Sequence, residues 1–210
     1  MSVLSRLLAL AKKVPLDLGQ ESQSDRTMGK VVALRCVPEV SKENHGQPRA
    51  LDVGCRQGVQ TRLLAKQGYR VVSIDVERDC PECMLMNADR PLGFRSGCFD
   101  LVWCSEVIEH LSDPESALQE MRRVLKPGGR LIVTTPNSYF WLMRPLHALG
   151  LSPARLQRAD HRQFFRLRDI RRLFPKARVC GYFPYAGKKF CIERFLGALT
   201  PTFVVVEDRV

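Results

Sequence analysis

A short segment that leads from an apolar strand into a glycine turn constrains the fold of this chain most strongly. Residues 50–58 read Ala-Leu-Asp-Val-Gly-Cys-Arg-Gln-Gly, and a second apolar run, residues 69–74, ends at Asp75. This order predicts a buried strand, a tight turn, a helix start and a second strand that ends in a carboxylate. Glycine lets backbone N–H groups approach a bound molecule, and a helix N-terminus favours negative charge. The segment therefore indicates a strand–helix–strand unit with a ligand site beside the turn.

The spacing of the glycines distinguishes between two kinds of nucleotide-like ligand. Asp75 lies 21 residues after Gly54, close to the gap of about 20 residues at which an acid accepts the hydroxyls of a ribose. A dinucleotide fingerprint also needs glycine at the first, third and sixth positions of the turn, which here are Gly54, Arg56 and Val59. Asp52, two residues before the first glycine, is unfavourable beside a pyrophosphate. The turn therefore favours a cationic ligand.

The same turn resembles motif I of the class I S-adenosylmethionine (SAM) methyltransferases. The commonest form of that motif is Asp-x-Gly-x-Gly-x-Gly. Here Gly54 and Gly58 supply the outer glycines that follow Asp52, and Arg56 replaces the middle one. The cofactor of this family is a sulfonium that carries an amino acid and a ribose, which agrees with the preference for a cation.

Two further motifs follow in the order of the same family. Residues 98–111 resemble its fourth strand and the loop after that strand, and residues 125–137 resemble its helix end, turn and fifth strand. The resemblance covers about residues 48–137. The chain is most similar to the small-molecule methyltransferases related to quinone-biosynthesis enzymes, with glycan and natural-product members alongside. The resemblance implies a SAM-dependent methyltransferase that acts on a small molecule or a lipid-linked acceptor, with oxygen as the expected acceptor atom.

Apolar periodicity predicts strands that alternate with helices along the chain. Strands are expected near residues 49–53, 70–74, 84–87, 99–104, 130–135, 177–183 and 202–208, and helices near 3–14, 27–37, 58–67, 114–125, 166–174 and 188–199. This order predicts an α/β fold with a Rossmann-like, doubly wound, seven-stranded, mostly parallel sheet and helices on both faces. The resemblance implies an antiparallel last strand. We expect residues 1–47 to form an N-terminal helical cap and residues 48–210 to form one SAM-binding methyltransferase domain.

The candidate cofactor-binding residues lie at the ends of the first four predicted strands. Asp75 is the candidate for the ribose hydroxyls. In the family, an acid at the position of Asp89 accepts a hydrogen bond from the adenine amino group. Asp52 is expected to orient the turn and to face the amino group of the ligand, and Ser105 ends the fourth strand, where backbone atoms meet the methionine part. For Asp75 and Asp89, an exposed turn or cap is the alternative role. The full set is Asp52, Gly54, Cys55, Gly58, Asp75, Ala88, Asp89 and Ser105.

Methyl transfer from a sulfonium mainly needs positioning of the acceptor, and a base is needed only if the nucleophile starts protonated. His110 and Glu109, on the loop after the fourth strand, are the nearest candidates for that base. His161 is a third candidate, because the segment 160–165 resembles a histidine-aromatic segment that follows the fifth strand in many relatives. A structural role is the alternative for each.

Two segments after the fifth strand predict the character of the acceptor. Residues 138–151 are unusually apolar and aromatic for a loop, so we expect an acceptor lid, with core packing as the alternative. Asn137, Tyr139 and Trp141 are the candidate substrate residues. Residues 155–178 contain nine Lys or Arg against two Asp, which favours an anionic partner, although a solvated helix face is the simpler explanation. Together they predict a hydrophobic, anionic acceptor. The helix near 3–14 could add weak membrane contact, although packing of its apolar face on its own domain is the simpler explanation and a partner subunit is another.

Composition excludes several other classes of protein. The length of 210 residues fits one domain, and the apolar runs are too short for a membrane span or a signal peptide, so a cytoplasmic protein with reduced thiols is expected. Cys80-Pro-Glu-Cys83 has no matching second pair, and no metal site is predicted. Residues 104–107 also differ from the Asn/Asp-Pro-Pro-Tyr box of amino-group methyltransferases. Two alternatives remain open: an RNA-modifying methyltransferase, and a non-catalytic SAM-binding or partner protein in which Arg56 has altered the turn.

Overall fold

The computed structural model describes residues 27–40, 46–157, 160–183 and 190–210. The helix predicted near residues 3–14 lies outside these ranges. The elements, in chain order, are α1 (Met28–Leu34), β1 (Arg49–Val53), α2 (Val59–Lys66), β2 (Arg70–Asp75), β3 (Cys83–Leu85), β4 (Phe99–Ser105), α3 (Pro114–Val124), β5 (Leu125–Pro136), a 3-10 turn (Trp141–Met143), α4 (Arg144–Ala148), α5 (Pro153–Leu156), α6 (Leu167–Leu173), β6 (Arg178–Phe183), β7 (Phe190–Ile192), α7 (Leu196–Leu199) and β8 (Thr202–Asp208).

The strands form one sheet in the order β3-β2-β1-β4-β5-β8-β6-β7. β1 to β5 pair with one another in parallel, and β8 is antiparallel to both β5 and β6. Apolar side chains pack on both faces of the sheet in two clusters, as a doubly wound fold requires. The predicted Rossmann-like α/β fold with an antiparallel last strand is therefore confirmed. The strand order reverses between β1 and β4, which is where ligands bind in such sheets.

The largest difference from the prediction lies near the C-terminus, where the helix expected at 188–199 is wrong at residues 190–192, its first two residues lying outside the described ranges. Phe190–Ile192 forms an eighth strand, β7, which pairs antiparallel with β6, and only Leu196–Leu199 is helical. The rings of Phe183 and Phe190 stack with centroids 5.1 Å apart at paired positions of the two strands. This cross-strand aromatic contact favours the strand over the local helical pattern.

Smaller differences concern element ends. β5 begins at Leu125 rather than near residue 130, directly after α3 ends at Val124. The earlier start comes from pairing with the neighbouring strand, because Leu125 pairs with Phe99 of β4 ahead of a register shift in that ladder. β3 covers only Cys83–Leu85, against the expected 84–87.

Helix α1 belongs to the predicted N-terminal cap, and it packs on the sheet. It begins at Thr27, whose hydroxyl accepts from the Lys30 N–H at 3.4 Å, and it contacts β5, β6 and β8. The boundary expected near residue 47 stays a prediction. No helix in the described ranges has both the length and the apolar character that crossing a bilayer requires, and the cytoplasmic location also stays a prediction.

Candidate active site

A cleft of about 620 Å³ opens at the carboxyl ends of β1, β2 and β4. Among the described residues, its wall includes five residues that the sequence predicts for the site: Gly54, Asp75, Ala88, Asp89 and His110. The other predicted residues lie behind or beyond this wall. The cleft therefore occupies the point where the strand order reverses, and it contains the acids that end β2 and follow β3.

The glycine turn has the backbone conformation that its outer glycines allow. Gly54 and Gly58 have φ angles of 77° and 71°, and a Cβ atom on Gly54 would lie 2.3 Å from Cγ2 of Val107. Arg56, in the place of the middle glycine, also has a left-handed φ of 44°. The substitution therefore leaves the turn in place, at the cost of strain at a non-glycine residue.

Asp52 lies beneath the turn and outside the lining of the cleft. Its carboxylate is buried and accepts a hydrogen bond from the Thr61 hydroxyl at 2.6 Å, and Thr61 in turn contacts the Ser73 hydroxyl at 2.8 Å. Burial raises the pKa of Asp52 to about 6, and the charge of Asp75 adds to this effect. Asp52 thus fixes the helix after the turn to β1, and Ser73 holds the same Thr61 hydroxyl to β2. Direct contact with the amino group of a ligand stays a prediction.

Cys55 and Gly58 also support the turn from within the protein. The Cys55 side chain is buried against Cys80 and Cys83. Gly58 is the N-cap of α2, and its N–H donates to the Cys55 carbonyl at 2.8 Å. Both residues shape the loop that borders the cleft.

Asp75 and Asp89 both line the cleft, and both also order backbone around it. Asp75 accepts from the Arg56 N–H at 2.9 Å and from the Val76 N–H at 2.7 Å, which ties the end of β2 to the glycine turn. Asp89 accepts from the Ser112 N–H at 2.8 Å. A carboxylate has about four acceptor positions, so each of these acids can also accept from the hydroxyl or amino groups of a ligand.

The cleft is acidic although the whole chain carries a formal net charge of +11. Its arginines are Arg56 and Arg162. Its carboxylates are Asp75, Glu77, Asp79, Asp89, Glu106 and Asp160. An excess of carboxylates opposes a pyrophosphate and stabilises a cation. The charges of the cleft therefore fit a sulfonium with an amino acid and a ribose.

His110 lies at one end of the cleft, where the loop after β4 meets the segment after β5. Its Nδ1 lies 3.1 Å from the Asp160 carbonyl oxygen and 3.6 Å from Oδ2 of the same residue. Because a carbonyl oxygen only accepts, Nδ1 of neutral His110 carries the proton and Nε2 keeps its lone pair. This arrangement gives His110 the form of a base whose cation Asp160 would stabilise.

The two other candidate bases lie directly beside His110. The His110 and His161 rings meet edge to face with centroids 4.8 Å apart, and Glu109 is buried below them. Ligand atoms of all three lie within 4.8 Å of one another, which makes them a group that could hold a metal ion among the described residues. The structure therefore brings together three side chains that the sequence identified separately.

Glu109 is unsuited to be the resting base. One of its oxygens accepts from the Thr135 hydroxyl at 3.0 Å, and the other has no hydrogen-bond partner in the described part of the chain. Burial, with the nearby Glu106 carboxylate, raises the pKa of Glu109 well above its usual range. The protonated form is thus favoured.

The backbone carbonyl of Glu109 has a separate role. It accepts hydrogen bonds from the N–H groups of Arg162 and Gln163, which holds the segment of His161 in place.

The predicted substrate residues separate into one internal and two outer positions. Asn137 is buried, and its amide donates to the Thr200 carbonyl at 2.8 Å, so it fixes α7 to the end of β5. Tyr139 lies under the guanidinium of Arg166, 4.0 Å from the ring centroid. Trp141 is 43% exposed. Tyr139 and Trp141 thus remain candidates for acceptor contact, whereas the geometry of Asn137 is that of a structural residue.

Glu106 and Asp160 also line the cleft, and neither was predicted from the sequence. Glu106 follows Ser105 with a left-handed φ of 56°, and its carboxylate accepts from the Thr134 hydroxyl at 2.8 Å. Ser105 contacts the same hydroxyl at 2.8 Å. A strained residue of this kind often marks a functional site. The spacing Glu106-x-x-Glu109-His110 was the available signal, whereas Asp160 reaches His110 only through the fold.

The fold and the cleft define a Rossmann-like α/β domain for a cationic nucleoside cofactor. The family model described as a methyltransferase domain matches residues 22–177. The chain therefore belongs to the methyltransferase domain family. The resemblance to SAM-dependent methyltransferases is confirmed, and SAM is the cofactor.

Curated relatives and solved structures agree with this assignment. The ubiquinone biosynthesis O-methyltransferase of Methylococcus capsulatus is 36% identical over 103 residues, which are 42% of this chain and 44% of the relative. The match thus spans less than half the length of that relative. A SAM-dependent methyltransferase from Mesorhizobium loti has a TM-score of 0.60 at 16% identity, covering 86% of this chain and 98% of that one. Another, from Archaeoglobus fulgidus, has a TM-score of 0.60 at 15% identity, covering 86% and 94%. These two structures share the fold.

Proposed function

We propose that the protein transfers a methyl group from SAM to a hydroxyl of a small-molecule or lipid-linked acceptor. The arrangement of His110 on Asp160, at one end of an acidic cleft, carries this proposal. The relatives named as ubiquinone biosynthesis O-methyltransferases support an acceptor with a phenolic hydroxyl.

The residues of the cleft have separate roles in this function. SAM supplies an activated methyl group on a sulfonium. Asp75 would accept hydrogen bonds from the ribose hydroxyls, Asp89 would accept one from the adenine amino group, and Gly54 would let the backbone approach the cofactor closely. The acidic cleft stabilises the positive charge before transfer. These groups position the donor, and the rate then depends on how the acceptor is held and deprotonated.

Proton removal is the step that requires His110. A phenolic hydroxyl has a pKa of about 10 and is therefore mostly neutral near pH 7. Nε2 of His110 takes its proton, while Nδ1 donates to the Asp160 carbonyl and the Asp160 carboxylate stabilises the resulting cation. His161, beside it, orients the ring through their edge-to-face contact.

The segment 138–151 forms the acceptor side of the site. Trp141 and Leu149 are 43% and 70% exposed. Tyr139, two residues before Trp141, is stacked by the guanidinium of Arg166. An apolar wall with a cationic edge suits an amphiphile with an anionic head. We therefore place the acceptor at or near a membrane surface, with Trp141 in contact with its apolar part.

The test compares two acceptors in the variant His110→Asn. With a simple catechol at pH 7, we expect a loss of about a hundredfold or more in kcat, because general base catalysis is removed. With a nitrocatechol, whose hydroxyl is already ionised, the loss should be small, since no base is required. Equal losses with both acceptors would show that His110 does not remove the proton.

Two controls separate this function from its alternatives. Repeating the assay with a chelator distinguishes two mechanisms: proton transfer by His110, and activation by a divalent ion bound to Glu109, His110 and His161. A chelator abolishes activity only in the metal-dependent mechanism. A non-catalytic SAM-binding protein would bind SAM in calorimetry and turn over none of the acceptors.

An RNA acceptor is a second candidate, favoured by the exposed arginines of α6: Arg168, Arg171 and Arg172. Binding of RNA through phosphates weakens steeply as salt increases. Methylation of a catechol that is insensitive to salt, without methylation of RNA, would exclude it.

A further inference from the structure

We propose that Cys36 and Cys180 form a peroxide-sensitive site, in which Cys36 is oxidised first and Cys180 then closes a disulfide between the end of α1 and β6. The site is built from residues on the sheet face that α1 covers. The proposal does not depend on methyl transfer.

The surroundings of Cys36 favour its thiolate. Its Sγ atom lies 3.3 Å from Nη2 of Arg178, and its carbonyl accepts from Nη1 of Arg130 at 3.0 Å. The side chain is half-buried, which leaves room for a small oxidant. A thiol that is partly exposed and next to arginine is the kind that reacts, because the thiolate is the nucleophile.

Cys180 lies on β6 two residues after Arg178, so both side chains are on the same face of the strand as Cys36, which packs against the apolar cluster that contains Cys180. The neighbouring Cys180 thiol lowers the pKa of Cys36 to about 6, together with the charges of Arg178 and Arg130 and against the effect of burial. The Cys36 sulfur and burial raise the pKa of Cys180. Before oxidation, therefore, Cys36 is the anionic sulfur that meets the oxidant and Cys180 is a neutral thiol beside it.

The chemistry balances with hydrogen peroxide as the oxidant. The Cys36 thiolate attacks one peroxide oxygen, the O–O bond breaks, and the departing hydroxide takes a proton to become water. The product is a sulfenic acid on Cys36. The Cys180 sulfur then attacks the Cys36 sulfur, the S–S bond forms and the S–O bond breaks, and hydroxide leaves with the Cys180 proton as a second water. The two thiols lose two electrons and the peroxide gains them.

The other cysteines lack this combination. Cys55 and Cys83, behind the glycine turn, are buried, and burial raises the pKa of each. Burial also raises the pKa of Cys104. Cys98 is half-buried like Cys36, and it serves as the matched control.

The charged groups around Cys36 determine its pH response. Arg178 also contacts Glu193 at 3.3 Å, and Arg130 holds Asp208 through two hydrogen bonds of 2.6 and 3.0 Å. These acids are paired with the guanidiniums. Replacing Arg178 by Gln should therefore slow alkylation of Cys36 by iodoacetamide at pH 7 by about twofold to fivefold, since the thiolate fraction decreases.

The experiment treats the full reduced chain with hydrogen peroxide and maps the products by mass spectrometry. We expect a Cys36–Cys180 disulfide in the wild type and in Cys98→Ser. In Cys180→Ser we expect a Cys36 sulfenic acid that dimedone traps, and in Cys36→Ser neither product. The disulfide should raise the midpoint of thermal unfolding, because it joins α1 to the sheet.

Three results would overturn the proposal. The first is oxidation of Cys98 or Cys191 at the same peroxide dose as Cys36. The second is a disulfide between Cys36 and Cys191 instead of Cys180. The third is an unchanged alkylation rate in Arg178→Gln, which keeps both thiols and so tests the site in a protein with its cysteines intact.

Discussion

At the scale of single residues, one substitution pair can separate the observed role of Asp75 in ordering the glycine turn from its proposed contact with the cofactor. Asp75→Ala should weaken SAM binding by about tenfold to a hundredfold, because a charged hydrogen-bond acceptor is worth roughly 1.5–3 kcal/mol. In the wild type, the Asp75 carboxylate accepts from the Arg56 N–H at 2.9 Å. Asp75→Asn keeps one oxygen for this hydrogen bond and should therefore keep the turn ordered. Calorimetry with SAM and with its demethylated product measures the Kd of both variants. An unchanged Kd in Asp75→Ala would show that Asp75 does not contact the cofactor.

Asp52 predicts a pH dependence of stability. Its pKa of about 6 in the folded state exceeds its ordinary value of 3.8, so the folded state binds the proton more tightly than the unfolded state. Stability from this residue is therefore greatest at low pH and is lost as the pH rises from about 4 to about 6. The full effect is about 3 kcal/mol at 1.36 kcal/mol per pH unit.

Asp52→Asn removes this titration and keeps an acceptor for Thr61. Urea unfolding should show the variant more stable than the wild type at pH 8, with the difference shrinking towards pH 4. A difference that is constant across this range would mean that Asp52 is not the group responsible.

The site residues that sequence predicted are those whose partners are near in the chain. The turn at Gly54 and the acid at Asp75 follow from spacing, because each strand of a parallel unit ends at the same edge of the sheet. The contact between His110 and Asp160 joins residues 50 positions apart. Only the packing of the segment after β5 against the loop after β4 creates it, so no local pattern indicates it.

At the scale of elements, the same distinction explains which strands were predicted. β1, β2 and β4 are buried runs bounded by turns, and their apolar pattern locates them to within a residue. β7 has only three residues and gains its stability from pairing with β6. A short strand of this kind depends on its partner rather than on its own sequence, and the helical pattern around it was misleading.

The glycine turn is the element whose strain can be measured. Arg56 has a left-handed φ of 44° and an exposed side chain. This conformation costs about 1–2 kcal/mol, and glycine loses about 0.5–1 kcal/mol through its freedom in the unfolded chain. Arg56→Gly should therefore gain up to about 1.5 kcal/mol in the free energy of unfolding by urea. Arg56→Ala, which removes the side chain and keeps the strain, is the control, and equal stability of the two variants would contradict strain at this position.

At the scale of the whole molecule, the two signs of charge are separated. The chain carries +11 overall, yet the cofactor cleft is acidic, and arginines are exposed on α6. The acidic cleft suits the cationic donor, and the basic surface suits an anionic acceptor or the membrane that contains it. The basic surface thus repels the cationic donor and attracts an anionic acceptor, whereas the acidic cleft attracts the donor.

This separation predicts binding to anionic membranes. Sedimentation with vesicles of anionic lipid at low salt should remove the protein from the supernatant, and neutral vesicles should leave it there. Binding should decrease as salt screens the charges. Trp141→Ala should bind anionic vesicles more weakly, because an exposed aromatic ring favours the interface, whereas Leu85→Ala, an exposed apolar residue on β3, should bind normally. If the protein stays in the supernatant with anionic vesicles at low salt, the acceptor is not met at a membrane. If RNA instead displaces it from those vesicles and is methylated, the basic surface serves nucleic acid.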